Sequence, residues 1–297
     1  MLSTGEHRIK INGIEHWVRV DGHDDGRPPI VVLHGGPGGN SYLCEQTFGP
    51  RLASFATVVY FDQRGCGRSD EPTEPDAYTM DNLVADIEGL RVALDVDRIV
   101  PLGQSFGGRF GAAYTVAHPD RVDRLVLHAS PITNPLRPNA WALRPAMIDP
   151  MLGPAERAAL RAELATLPGQ AERFAAAHQA LGRDPAARAR FLCHDPTKVP
   201  ELLQLLDTAE KLGTNDQMGP ALRLTGPDHL ADALAETDAP TLVLVGLSDR
   251  SVGVDSCRDL ADQLPRGELH LFTKSAHFPE HEQPEEYAAA VRAFLGR

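Results

Sequence analysis

The stretch "RIVPLGQSFGGRFGAAY", residues 98–114, decides the fold. An apolar run, Ile99-Val100-Pro101-Leu102, leads into it, and a run of small residues from Gly107 to Ala113 follows. The first half reads as a buried strand and the second as the opening of a helix. Ser105 sits at the junction, between Gly103 and Gly107. A G-x-S-x-G at a strand-to-helix turn is a nucleophile elbow, a strained turn that lifts the serine hydroxyl out of the top of a sheet. Side chains at positions 103 and 107 would collide across that turn, so hydrogen alone is tolerated there. A helix beginning at Phe106 aims its N–H groups and positive dipole end at the reacting oxygen. Ser105 is therefore the candidate nucleophile.

A serine hydroxyl needs a base, and the base needs an orienting acid. Behind an elbow of this type the chain order is serine, acid, histidine. Asp249 lies three residues beyond the apolar run "TLVLVG" (241–246), and His277 five residues beyond "ELHLF" (268–272). Of the twelve histidines, His277 is the one that follows the acid and the last strand end with a small residue before it. Both positions fall at the carboxyl ends of strands, where open α/β sheets put their chemistry. An oxyanion needs a second N–H besides that of Phe106, and Gly36 in "VVLHGGPGGN" (31–40) is the candidate.

Three competing motifs fail on their own terms. The glycines of 35–39 precede no Lys-Ser/Thr and Pro37 removes a donor, so they do not form a phosphate loop. His277-Phe278-Pro279-Glu280-His281 spells the H-x-x-E-H of a zinc site, but Pro279 breaks the helical turn such a site needs, and no metal is expected. "DGHDDG" (21–26) begins like a calcium loop, yet its twelfth position is Val32, so it reads as a polar turn.

Outward from the elbow, "PIVVLHGG" (29–36), "TVVYFDQRG" (57–65), "RLVLHAS" (124–130), "TLVLVG" and "ELHLF" read as further buried strands. "EHRIKINGIEHWVRV" (6–20) reads as a hairpin turning at Asn12-Gly13, and "MDNLVADIEGLRVALDV" (80–96) as an amphipathic helix. Strands alternating with helices predict an α/β fold with a mostly parallel sheet covered on both faces. The alternation stops after Ser130 and resumes near Pro240. Residues 131–232, rich in Ala, Leu, Arg and Glu and punctuated by Pro and Gly, predict an inserted cap of four or five short helices over a core of 1–130 and 233–297.

The 297 residues are 42% hydrophobic and 24% charged, with a net charge of −12, which argues against nucleic acid and anionic membranes as partners. No apolar run is long enough to span a membrane, and no signal peptide is visible at the N-terminus. Cys44, Cys66, Cys193 and Cys257 are scattered, as expected of reduced thiols in a cytoplasm. Cys66, in the loop 64–69 after a strand end, is expected near the rim of the pocket.

Taken together, the elbow, His34-Gly35-Gly36-Pro37-Gly38, the segment "DQRGCGRS" (62–69), and His277 with Glu282 and Pro284 resemble the proline iminopeptidase family of α/β-hydrolases. In that family an HGGPG segment follows the third strand, DxRGxGxS the fourth and a GQSWGG-like elbow the fifth; a GHxxxxExP-like segment carries the histidine. Here the elbow reads GQSFGG and the histidine segment SAHFPEHEQP. The resemblance implies an α/β-hydrolase fold, a triad of Ser105, Asp249 and His277, an oxyanion hole of Gly36 and Phe106, and acyl-enzyme chemistry without a cofactor. It also implies release of a small N-terminal residue, proline foremost, from a small or short-peptide substrate. Family members hold the substrate amine with cap glutamates in stretches such as WSxWE or RIENHYF, and this chain has neither. Asp195 and Asp216 are the stand-ins. The same core serves esterases, lactonases and amidases on uncharged substrates, the alternative reading. A ligand-binding receptor would show a damaged triad or oxyanion loop, and none is visible.

Overall fold

The computed structural model describes residues 2–22, 26–74, 76–132, 140–225 and 229–296. The centre of the polar segment 21–26 lies outside the described residues. Eight strands form one sheet: β1 (Gly5–Ile11), β2 (Ile14–Asp21), β3 (Ile30–Leu33), β4 (Val58–Phe61), β5 (Val100–Gln104), β6 (Leu125–His128), β7 (Thr241–Gly246) and β8 (Gly267–Phe272). Their order is β1-β2-β4-β3-β5-β6-β7-β8. The β1–β2 and β2–β4 pairs are antiparallel, and every other pair is parallel. The hairpin turns where Asn12-Gly13 predicts it: both residues have positive φ, 49° and 88°, and Ile11 pairs with Ile14.

The parallel strands are short and apolar throughout because both faces are covered. Val31, Leu33, Val59, Phe61, Leu125, Leu127, Val243 and Val245 face one core, with Leu83 and Ile87 of the helix Met80–Ala93 and Phe110 of the helix Gly107–Ala117. The alternate residues Ile30, Val32, Val58, Tyr60, Val126, Leu242 and Leu244 face the other, with Phe48, Leu52, Tyr287 and Val291. "ELHLF" departs from its predicted burial. It is the edge strand β8, paired on one side only, and its first five residues are half-buried.

Between β6 and β7 the described residues form α-helices at Ala140–Ile148, Pro154–Leu164, Gln170–Arg183, Pro185–Leu192, Val199–Leu212, Met218–Thr225 and Leu230–Ala235. These are seven, not four or five. The extra breaks fall at single residues: Gly153-Pro154, Asp184-Pro185 and Gly213 each end one helix or open the next. Ile148, Leu160, Ala177, Leu181 and Phe191 pack into a core of their own. Cys193, Val199 and Leu202 pack on Leu43 and Phe278 of the sheet body, while Leu230, Ala231 and Leu234 join the larger sheet core. No helix among the described residues is long and apolar enough to cross a membrane.

Candidate active site

Ser105 follows β5 near the middle of the sheet and has φ 51°, the strained left-handed conformation an elbow requires. A Cβ on Gly103 would lie 2.3 Å from Gly108 Cα, so that position is closed by the turn itself. Gly107 is closed by something else. Its Cβ would lie 2.0 Å from the carbonyl oxygen of Leu33 and 2.6 Å from that of His34, so β3 and not the turn demands glycine there. The helix starts at Gly107, with Phe106 as its N-cap residue.

His277 and Asp249 meet Ser105 at this edge of the sheet. The Ser105 Oγ lies 3.1 Å from His277 Nε2, and His277 Nδ1 lies 3.0 Å from Asp249 Oδ2. A proton on Nδ1, donated to the carboxylate, leaves Nε2 to accept from the hydroxyl. The other Asp249 oxygen accepts from the N–H groups of Ser251 (2.6 Å) and Val252 (3.0 Å). Burial alone would raise the Asp249 pKa, but the His277 charge and these hydrogen bonds outweigh it and hold it below the usual carboxylate range. The histidine loop is fixed by the residues after it. Glu282 Oε2 accepts from Ala276 N–H at 2.6 Å, and Gln283 Oε1 accepts from Lys274 N–H at 2.7 Å and Ser275 Oγ at 2.9 Å.

Gly36, on the loop after β3, lines the same cavity as the serine and has φ 130°. A Cβ there would lie 2.6 Å from Gly39 N and 2.7 Å from Gly38 N. The segment after β4 holds this loop in place. Gln63 N–H donates to His34 Nε2 (3.1 Å), and its side chain donates to His34 O (3.0 Å). Burial keeps the His34 imidazole pKa below its ordinary value, so Nε2 is an acceptor and Nδ1–H donates to Gly35 O. Asp62 accepts from Ser41 N–H and Oγ (2.9 and 2.6 Å) and from Arg68 Nε (2.7 Å), while the Arg68 guanidinium stacks 3.2 Å above the Trp17 ring. The loop is also tied to the helical segment: Asn40 donates to Ala209 O (2.7 Å) and Gly213 O (3.0 Å), and Asn215 N–H donates to Gly38 O (2.7 Å).

Ser105, His277, Gly36 and Phe106 line one cavity of about 640 Å³ between the sheet edge and these helices. Asp216 lines its mouth, as does Glu210, which the sequence reading missed. Asp195 is not brought there. Its carboxylate caps the turn Pro196–Lys198, accepting from Thr197 N–H (2.9 Å) and Oγ1 (2.7 Å). Cys66 is not at the rim either. It is 1% exposed, and burial pushes its thiol pKa up, away from reactivity. The H-x-x-E-H residues diverge: His281 Nε2 donates to Lys198 O (2.9 Å) and Glu280 Oε2 lies 3.2 Å from His128 Nε2. Among the described residues no group of His, Cys, Asp or Glu is arranged to hold a metal ion.

The alpha/beta hydrolase fold family matches residues 28–284. The chain belongs to that family. Among its relatives is a proline iminopeptidase of Heyndrickxia coagulans, 29% identical over 283 residues that cover 91% of each chain. Another is a 2-hydroxymuconate semialdehyde hydrolase of Pseudomonas sp. (strain CF600), also 29% identical, over 94% of this chain and 90% of that one. The crystal structure of a proline iminopeptidase-related protein from Thermus thermophilus superposes with a TM-score of 0.78 at 27% identity, covering 99% of this chain and 98% of that one.

Two side chains of this α/β-hydrolase cavity carried no signal in the sequence: Arg144, from the helix Ala140–Ile148, and His178. Arg144 Nη1 donates to His178 Nε2 at 2.7 Å. Burial first, and the Arg144 charge second, pull the His178 pKa down to about 4. The folded protein thus keeps this ring neutral where the unfolded chain protonates it. Stability is fully kept above about pH 6.5 and lost as pH falls toward 4, by on the order of 3 kcal/mol from this residue. His178→Gln, which can still accept from Arg144, is expected to flatten the fall of the urea midpoint across that window. An unchanged slope would assign the loss to other groups.

Proposed function

We propose that the protein is a serine hydrolase that cleaves a small ester or amide through an acyl-enzyme. The observation that carries this reading is the hydrogen-bonded line from Ser105 through His277 to Asp249 at the carboxyl edge of the sheet. In this reading His277 removes the Ser105 proton as Oγ attacks a carbonyl carbon. Asp249 fixes the tautomer and stabilises the imidazolium. The N–H groups of Gly36 and Phe106 hold the developing oxyanion, and losing one such donor costs about 3 kcal/mol of barrier. His277 then protonates the leaving alcohol or amine and activates the water that frees the acid. Residues 131–232 act as a helical cap that shapes the substrate cavity. No cofactor takes part, and the cytoplasm is the proposed compartment.

Release of an N-terminal proline is the second reading. It is favoured by the relatives named for that activity and by Asp216 and Glu210 at the cavity mouth. An ammonium group inside the cavity would need a carboxylate partner, since a buried unpaired charge costs several kcal/mol. Asp195 points its carboxylate into a turn, and the buried cavity residue Arg144 is itself a cation. The ester or amide reading therefore stands first. The test is a matched pair, prolyl-naphthylamide and its N-acetylated form, run beside 4-nitrophenyl butyrate. Acetylation is expected to change kcat/KM by less than about tenfold, and the ester to be cleaved. A loss beyond about 100-fold on acetylation, partly reproduced by Asp216→Asn, would instead establish an aminopeptidase.

A further inference from the structure

Arg144 stands in the cavity wall without a part in the mechanism above. It is 5% exposed, and its hydrogen-bond partners among the described residues are all uncharged. Nη2 donates to the carbonyl oxygen of Ser251 and to Ser251 Oγ (3.0 Å), and Nη1 to His178 Nε2 (2.7 Å). The faces of Phe174 and Phe191 lie 5.1 and 5.4 Å from its guanidinium carbon. Nε is buried with no hydrogen-bond partner among the described residues. Asp249 acts on it from a distance, but that carboxylate is engaged by His277. A guanidinium held among two rings, a neutral imidazole, a carbonyl and a hydroxyl has, among the described residues, no carboxylate in direct contact of the kind that buried charges normally keep. Desolvation accordingly pulls its pKa down to about 10, which still leaves it charged at neutral pH.

Its surroundings also fix where it stands. Ser251 is two residues beyond Asp249, and its N–H donates to Asp249 Oδ1. The guanidinium is thereby tied to the loop that carries the acid, on the wall of the cavity that holds the serine. Guanidinium groups bind carboxylates better than any other side chain does, through parallel, charge-assisted N–H···O bonds. We infer that Arg144 is a specificity-determining residue that receives a carboxylate of the substrate, so that the enzyme cleaves esters or amides bearing a free acid group.

This inference rests on the serine-hydrolase reading, and the experiment separates the two. The anion can sit on the acyl part or on the leaving group, so two matched pairs are compared. Mono-4-nitrophenyl adipate is set against its methyl ester, and 3-acetoxybenzoate against methyl 3-acetoxybenzoate. In one pair the acid form is expected to have at least a tenfold higher kcat/KM than the neutral form. Arg144→Gln should remove at least tenfold of that ratio, and Arg144→Lys, a point charge without the planar fork, should keep part of it. If fluorophosphonate labels Ser105 and the neutral esters turn over but neither pair shows a preference, the inference falls and the hydrolase reading stands. If nothing labels and nothing turns over, the hydrolase reading falls. Calorimetric binding of adipate, lost in Arg144→Gln, would then still support the anion site, and its absence would overturn it. Should Arg144→Gln fail to fold, inhibition of the intact enzyme by adipate but not by dimethyl adipate supports the site. Equal inhibition overturns it.

Discussion

Ser105→Ala is expected to abolish labelling by a fluorophosphonate and to lower kcat on any accepted ester by about a millionfold. The hydroxyl is the only atom group removed, and alanine inherits the same strained φ of 51°. The far-UV spectrum and melting temperature should therefore stay where they are, which separates loss of chemistry from loss of fold. The residual rate is informative as well. Serine, histidine and aspartate act as a unit, so Ser105→Ala combined with His277→Ala should lose little more than Ser105→Ala alone. What remains above the rate in water would come from Gly36, Phe106 and substrate binding. Labelling that survives the substitution would place the nucleophile elsewhere and sink the mechanism.

The candidate triad was legible because each member carries a local signal. Ser105 sits between glycines at a change from strand to helix pattern, and Asp249 and His277 each follow an apolar run. A parallel sheet puts all such run ends on one edge, so three residues far apart in sequence could be brought together by topology alone. The cavity wall was not legible for the same reason in reverse. Arg144 and His178 lie on helices where an arginine or a histidine is ordinary surface composition. Their meaning comes only from burial against Ser251, Phe174 and Phe191.

Asp195 does not line the cavity, and a signal for its place in a turn was present in the sequence. In Asp195-Pro196-Thr197 an aspartate precedes a proline and a hydroxyl residue, the composition of a side-chain-capped turn, and its carboxylate does bond Thr197 two residues on. Glu282 shows the opposite case. The resemblance singled it out without a reason, and the reason is geometric: its two oxygens accept from Ala276 N–H, next to His277, and from Asp195 N–H in the helical segment. Burial raises its pKa, and those N–H groups act against that shift. Cys66 misled because position in a loop was taken for exposure; the loop is folded under by Arg68 and Asp62, and the thiol goes inside.

Gly107→Ala is expected to cost more than about 4 kcal/mol of stability, the range reserved for substitutions that force backbone against backbone. The new Cβ would lie 2.0 Å from Leu33 O, and that carbonyl is part of β3, hydrogen-bonded between β4 and β5. Neither partner is the movable end of a side chain. Relief requires the helix Gly107–Ala117 to slide away from β3, which also pulls the Ser105 elbow off His277. The control is Gly111→Ala, one helical turn along the same helix. Its Cβ would meet only side-chain carbons, Leu125 Cδ1 at 3.3 Å and Leu33 Cδ1 at 3.5 Å among them. Alanine is worth about 1 kcal/mol over glycine in a helix, which offsets that tight packing. Urea denaturation should therefore find Gly111→Ala within about 1 kcal/mol of the parent, while Gly107→Ala yields little or no folded protein. If Gly107→Ala were as stable as Gly111→Ala and still labelled at Ser105, the close approach of helix to β3 would not be what fixes the elbow.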